Sequence, residues 1–271
     1  MSDQILRRLA APIRRDWSRV DLSSWLTPLA LLTGALGLAT VFGAFIYAPA
    51  DAIQGDVQRI FYIHAPMAMI AYLAGGVVAL AGLVYLKTRN MLWDVIARCS
   101  AEVAVLFTTL VLVTGSLWGR PVWGTWWSWD ARLTTTLILW FIYVGYLMLR
   151  SYIGEPERAA RYSVLVGLLG AIDIPLVHVS VEWWRTLHPQ GIIDSATGSP
   201  ALPGSMLLVF ALGTLTMILL YVVLMGLRMR LELMRDAVIA VEEQRMDEID
   251  IAPLAPPSPA SELRALDVAG G

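Results

Sequence analysis

The sequence predicts an all-α polytopic membrane protein with six transmembrane helices, both termini in the cytoplasm and a tryptophan-rich amphipathic segment on its outer face. Of the 271 residues, 57% are apolar and 15% are charged, against about 45–50% and 25% in soluble domains. The apolar residues form segments that supply the roughly 20 residues needed to cross a bilayer. Five segments contain no Asp, Glu, Lys or Arg and a sixth contains only Asp173: residues 22–50, 60–86, 103–119, 133–149, 195–227 and 162–181.

These segments divide the chain into four parts. A cytoplasmic N-terminal segment, residues 1–24, precedes a membrane domain, residues 25–228. Residues 229–250 keep a helical pattern with mixed charge and predict a cytoplasmic extension of the last helix, and the Pro-rich residues 251–271 predict disorder. Within the membrane domain we expect spans near residues 26–48, 62–86, 99–118, 132–150, 162–182 and 205–227. The Arg-rich start and the full-length first span do not resemble a cleavable signal peptide.

The Arg and Lys residues predict the orientation, because cytoplasmic flanks collect them. Assigning the flanks alternately to the two sides places fourteen on one side and four on the other. The four are Arg59, Arg120, Arg132 and Arg185. The richer side holds both termini, so the sequence predicts a multi-pass membrane protein, surrounded by lipid, with both termini in the cytoplasm.

Charge, cysteine content and missing motifs exclude several classes of function. A net charge of −2 leaves no basic surface for nucleic acid. The single Cys99 excludes an intramolecular disulfide and any CxxC site. There is no GxxxxGK[ST] pattern, so any ATP hydrolysis belongs to a partner.

The densest chemical signal is LWGRPVWGTWWSWDARLT, residues 117–134, which we call the tryptophan segment. An aromatic belt at the membrane interface accounts for one or two tryptophans in a loop, whereas this segment has five: Trp118, Trp123, Trp126, Trp127 and Trp129. Pro121 suits the first turn of a helix, and a helix from there would place Trp123, Trp126, Trp127 and Asp130 on one face. Such a surface helix would stack a flat ligand, while Arg120 and Arg132 could pair with its anionic groups.

The three histidines suggest that this flat ligand contains a metal. His64 and His178 each lie about one turn inside the outer end of a predicted span, so their imidazoles could bind the iron of one haem from opposite sides. The alternative for either is a polar residue hydrogen-bonded within the bundle. His188 lies further out and is assigned a structural role. Asp173, near Pro175, is interpreted as a packing residue, with a proton or conformational relay as the alternative.

These motifs resemble a known family. WGTWWSWDARLT, flanked by FYIHAPM and PLVHVSVEWWRTLHP in a six-span protein, looks like the haem-handling WWD family, and within it the small C-type subunits of bacterial cytochrome c maturation. The resemblance covers about residues 20–230; the Pro-rich tail lies outside it. It implies that haem, a non-covalently held b-type cargo, is bound at the outer face and handed to a periplasmic, membrane-anchored haem chaperone. It also implies association with an ABC-type ATPase, its membrane subunit and a small single-span subunit.

Carried over by position, the resemblance assigns the haem platform and the axial ligands. The ligands are His64 and His178. The platform consists of Trp118, Gly119, Trp123, Gly124, Trp126, Trp127, Trp129 and Asp130. The predicted function is haem binding and transfer without catalysis.

Two other classes of function share some of these features. A b-type membrane cytochrome would also use paired histidines, although deeply buried and often serving two haems. A polytopic transporter would use the tryptophan segment as a gate, with Asp173 and Pro175 marking a broken helix. The outer position of the tryptophans and histidines favours exchange with a periplasmic partner.

Overall fold

The computed structural model describes residues 23–184, 187–188 and 202–251, and in this part of the chain it contains six long helices. They are α1 Ser23–Phe42, α2 Phe61–Thr88, α3 Met91–Trp123, α4 Ala131–Tyr152, α5 Pro156–Trp183 and α6 Gly204–Ile251. A π-helical turn, Gly43–Tyr47, extends α1, and a 3₁₀ turn, Asp56–Ile60, leads into α2. All six helices are long and apolar enough to cross a membrane. The predicted six-span, all-α fold is confirmed.

The helices end where local chemistry predicts. Arg89 adopts a left-handed conformation after α2 (φ 56°), and the side chain of Asn90 accepts a hydrogen bond from the Leu92 N–H at 2.9 Å at the start of α3. Pro156 occupies the first turn of α5, where its missing N–H costs nothing. The loops between these antiparallel helices define two ends of the bundle. We call the end with the α3–α4 loop the tryptophan end and the other the arginine end.

The predicted surface helix starting near Pro121 is wrong. Pro121 lies in the last turn of α3, which ends at Trp123 because Gly124 takes a left-handed conformation (φ 76°) and donates its N–H to the Arg120 carbonyl at 3.1 Å. No helix follows until Ala131. Extending an existing helix past one proline costs less than nucleating a new one. The tryptophans therefore lie on the end of α3 and an irregular loop.

Helices α2 to α5 pack in a closed ring, α2 on α3, α3 on α4, α4 on α5 and α5 on α2. Glycines bring α2 and α5 close together, as in many membrane bundles. A Cβ on Gly167 would lie 2.9 Å from Val78, and one on Gly75 would lie 2.7 Å from Ile174. The ring thereby fixes the relative positions of the α2, α3 and α5 ends that carry the candidate site.

Helices α1 and α6 pair with one another beside this ring. The hydroxyls of Thr40 and Thr216 are 3.1 Å apart, and Gly226 lies against Leu26. A Cβ on Gly213 would lie 2.5 Å from the carbonyl oxygen of Tyr62. Pro66, four residues later in α2, has no N–H to donate to that oxygen. Gly213 of α6 therefore packs at the point where α2 lacks one backbone hydrogen bond.

The arginine end carries ion pairs. The guanidinium of Arg150 binds both carboxylate oxygens of Asp94 at 2.7 Å, with both side chains largely buried. Glu102 pairs with Arg98 and Arg228. Bidentate Arg–carboxylate geometry fixes direction as well as distance, so the Asp94–Arg150 pair aligns α3 with α4.

Asp173 is buried in α5, and its Oδ2 has no hydrogen-bond partner among the described residues. The hydroxyl of Tyr143 is also buried without a described partner, and a Cβ on Gly170 would lie 2.7 Å from it. Asp173 thus lies in the bundle interior, one turn along α5 from Gly170. Both the packing and the relay interpretations remain compatible with this position.

The chain divides into two units after Met229, and the second begins at Arg230. Within it, α6 continues as a helix to Ile251. The predicted N-terminal segment and Pro-rich tail lie almost entirely outside the described residues.

Candidate functional site

His64 is held at the tryptophan end between α2 and α3. Its side chain is only 6% exposed. Its Nδ1 lies 2.8 Å from Oγ1 of Thr114, and its ring contacts the edge of Trp118 with 5.6 Å between centroids. A Cβ on Gly115 would lie 3.2 Å from Cε1 of His64. Helix α3 therefore fixes the imidazole from one side by a hydrogen bond, a glycine contact and an indole.

The loop between α1 and α2 holds Trp118 in place. Its Nε1–H donates to Oε1 of Gln54 at 2.9 Å. Gln54 lies in a turn in which the carboxylate of Asp51 accepts the N–H groups of Ile53 and Gln54 at 2.9 and 2.7 Å. Arg59 ties the start of α2 to the end of α1 by donating to the Ala44 and Ala48 carbonyls.

His188 lies against both His64 and Trp123. The ring centroids of His64 and His188 are 6.4 Å apart, and those of His188 and Trp123 are 5.6 Å apart. Burial lowers the pKa of the His188 imidazole to about 3, and the positive charge of Arg132 and the neighbouring His64 act in the same direction. His188 is therefore neutral near pH 7, and a neutral imidazole carries a lone pair that can bind a metal.

Two glycines predicted to belong to the platform shape the end of α3. A Cβ on Gly119 would lie 2.9 Å from Cε3 of Trp123, so the indole packs directly over the glycine. The left-handed Gly124 ends the helix, and its carbonyl accepts a hydrogen bond from Nη1 of Arg120 at 2.7 Å. Arg120 thus caps its own helix while remaining exposed.

The other tryptophans of the segment differ in exposure. Trp126 and Trp129 are 57% and 76% exposed. Trp127 is half-buried and contacts the edge of Trp129 with 5.6 Å between centroids. The loop therefore presents indole surface to the exterior, although not on one helical face.

Three polar atoms near this loop are buried without a hydrogen-bond partner among the described residues: Nε1 of Trp127, Oγ of Ser128 and Nε of Arg132. Each can donate a hydrogen bond, so an anionic or carbonyl group would satisfy them. The Nη2 of Arg132 donates to the His178 carbonyl at 2.9 Å and ties α4 to α5. Asp130 has a structural task, because its carboxylate accepts the Leu133 N–H at 2.9 Å and caps α4.

The two histidines predicted as a ligand pair differ in burial, since His64 is buried and His178 is exposed. The side chain of His178 is exposed on α5, whereas Val177 and Ser180 of the same helix are fully buried. Among the described residues, the ring contacts of His64 are with Trp118 and His188. The assignment of His178 as a ligand stays a prediction.

Sequence reasoning missed the residues that hold the site together. Thr114, Gly115 and Gln54 were not singled out, and His188 was given only a structural role. Thr114 could have been predicted from the sequence, because it lies four residues before Trp118 and therefore on the same face of α3. Gln54 and His188 could not, because loop contacts depend on the tertiary arrangement.

The fold and the site define a class: a six-helix membrane protein that presents tryptophans and two adjoining imidazoles at one end. The chain belongs to the family described as CcmC, Heme exporter protein C, whose model matches residues 5–244. That description is of a transport component, not of an enzyme.

Curated relatives carry the same description. The chain is 39% identical to Heme exporter protein C of Bradyrhizobium diazoefficiens over 234 residues, 86% of this chain and 87% of the relative. It is 39% identical to that of Haemophilus influenzae over 227 residues, covering 83% and 92%. It is 39% identical to that of Escherichia coli K12 over 206 residues, covering 72% and 80%.

Proposed function

We propose that this protein binds haem non-covalently at the tryptophan end and hands it to a membrane-anchored haem chaperone for cytochrome c maturation. The observation that carries the proposal is the contact of the His64 and His188 imidazoles beside Trp118 and Trp123. Metal–imidazole bonds of about 2 Å, with ring nitrogens about 1 Å from the centroid, give two histidines on opposite sides of one metal a centroid separation of about 6 Å. The observed 6.4 Å matches this spacing.

The surrounding groups suit a haem. The tryptophans offer flat, polarizable surface to a porphyrin, and the buried donors of Trp127, Ser128 and Arg132 suit its carboxylates. His64 is one axial ligand in this proposal. His188 is favoured as the second by its contact with His64, and His178, predicted from its depth, is the alternative.

The test of this proposal is a titration of the detergent-purified protein with ferric haem. We expect a saturable, one-to-one shift of the haem absorption band, reversed when a periplasmic haem chaperone is added. Haem that binds stably and does not transfer would favour a b-type cytochrome. Absence of saturable binding would contradict the proposal.

We further propose that the tryptophan end faces the periplasm and both termini the cytoplasm, in the inner membrane, within a complex that includes an ABC-type ATPase. The fourteen-to-four distribution of Arg and Lys supports this orientation. In this orientation the arginine end faces the cytoplasm, the side on which Arg and Lys residues are enriched in membrane proteins.

Thiol labelling of single cysteines tests the orientation. With the buried Cys99 replaced by Ala, we expect cysteine at Ile53, which is 95% exposed, to react with an impermeant maleimide added to the outside of spheroplasts. Cysteine at the exposed Glu155, in the α4–α5 turn, should react only after the membrane is permeabilised. The reverse pattern would contradict the orientation, and labelling of both from outside would contradict the six-span topology.

A further inference from the structure

The hydrogen bonds of Thr114 determine where the proton of its hydroxyl lies. Its Oγ1 is 2.7 Å from the carbonyl oxygen of Leu110, one turn earlier on α3, and 2.8 Å from Nδ1 of His64. A carbonyl oxygen only accepts hydrogen bonds, and a hydroxyl has one proton to donate. With that proton donated to its own helix, at the carbonyls of Leu110 and Val111, Oγ1 is left to accept from His64, and this arrangement requires a proton on Nδ1.

We propose that Thr114 is a positioning residue that holds His64 in the Nδ1–H tautomer and so leaves the lone pair of Nε2 free for a metal. A neutral imidazole has one donor and one acceptor nitrogen, and the bond made by one nitrogen sets the role of the other. Metal-binding histidines commonly donate their second N–H to such a partner. Only the use of Nε2 for haem iron rests on the proposed function; the tautomer does not.

The same stretch of α3 also fixes the orientation of the ring. Thr114 is β-branched and has few side-chain rotamers. Next to it, Gly115 leaves a gap that His64 fills, since a Cβ there would lie 3.2 Å from Cε1. Trp118, one turn further along α3, makes an edge contact with the imidazole, and the planes of the two rings are inclined by 75°. A half-turn of the imidazole about its Cβ–Cγ bond would put Cδ2 in place of Nδ1, lose the hydrogen bond to Thr114 and disturb these contacts.

The tautomer can be measured without haem, because the chain has only three histidines. We suggest ¹⁵N NMR of the histidine-labelled full-length protein in detergent at about pH 8.5, two units above the ordinary histidine pKa. His178→Ala and His188→Ala spectra assign the His64 signals. The expected result is a protonated Nδ1 and an unprotonated Nε2. An Nε2–H tautomer in the unmodified protein would overturn the proposal.

Variants of Thr114 separate positioning from packing. Thr114→Val keeps the branched shape without the hydroxyl and should shift His64 toward a tautomer mixture, whereas Thr114→Ser should restore the Nδ1–H form. Thr108→Val is the matched control, because the buried Thr108 hydroxyl donates to its own helix at Ala104; it should leave the His64 signals unchanged. A His64 signal that is unchanged in Thr114→Val would also overturn the proposal.

Haem binding provides the second readout. Losing the acceptor for Nδ1–H makes the imidazole a weaker donor, so Thr114→Val should bind ferric haem about tenfold more weakly and raise its reduction potential, with recovery in Thr114→Ser. If the tautomer is as proposed but the unmodified protein binds no haem, the proposed function fails and the assignment of Thr114 stands. If haem binds and neither affinity nor potential responds to Thr114→Val, the link from Thr114 to the metal is refuted.

Discussion

His64→Ala should convert bound ferric haem from a six-coordinate, low-spin form to a high-spin or mixed form. Two nitrogen donors give a stronger axial field than one donor and water, and His64 is the buried imidazole that α2 and α3 hold at the site. Added imidazole should partly restore the low-spin spectrum by filling the vacated position. Absorption and electron paramagnetic resonance spectra of the purified variant provide the measurement.

The same spectra identify the second ligand. If His188 binds the iron, as its 6.4 Å separation from His64 favours, His188→Ala should reproduce the high-spin change and His178→Ala should leave the spectrum low-spin. If His178 is the ligand, the two results exchange. A low-spin spectrum in His64→Ala would remove His64 from the site altogether. Single variants should keep some haem through the tryptophans but transfer it poorly, since the ring is no longer held at a fixed depth and tilt.

Replacing Trp123, Trp126 and Trp127 together by Ala should weaken the binding of metal-free porphyrin about 100-fold. Stacking does not need the iron, and about 1 kcal/mol for each of three indoles amounts to about 3 kcal/mol. Quenching of tryptophan fluorescence is unsuitable, because the variant lacks three of the tryptophans that give the signal. Equilibrium dialysis of the porphyrin measures the affinity instead. Haem affinity should fall as well, but the low-spin spectrum of the remaining complex should persist.

A matched control removes indoles from the arginine end. Trp25 lies in the first turn of α1 and Trp93 in the first turn of α3, so both are at the arginine end. The double variant Trp25→Ala with Trp93→Ala should therefore leave porphyrin affinity unchanged. Equal porphyrin affinity in the triple variant and the unmodified protein, both still folded by circular dichroism, would mean that the tryptophan segment is only an interfacial belt.

The sequence determined the six spans, because each membrane helix must satisfy its own backbone hydrogen bonds and present apolar side chains to lipid. These requirements are local, so a charge-free stretch such as Ile60 to Leu86 predicts a helix independently of the rest of the chain. The end of α3 and the start of α4 are also set locally, although the predicted surface helix ran past both. The Asp130 cap and the left-handed Gly124 are set by the chemistry of one or two residues.

The side of α5 that faces the bundle could be predicted only in part from the sequence. In α5, buried positions recur at Ser163, Gly167, Gly170, Asp173, Val177 and Ser180, a helical stripe of small and polar residues. His178 is off this stripe, one residue and about 100° from Val177. Depth along the span was used to pair His178 with His64, but depth alone does not decide which side of the helix faces the bundle.

The tertiary structure alone decided how the site is assembled. The contact of His188 with His64 and Trp123 joins a loop after α5 to the ends of α2 and α3, and the Gln54–Trp118 hydrogen bond spans 64 residues of sequence. Such contacts depend on the packing of helices whose apolar faces are nearly interchangeable in composition. Hydrophobicity sets where each helix lies along the membrane normal, while glycine contacts and buried hydrogen bonds set which helices meet and therefore which side chains share a site.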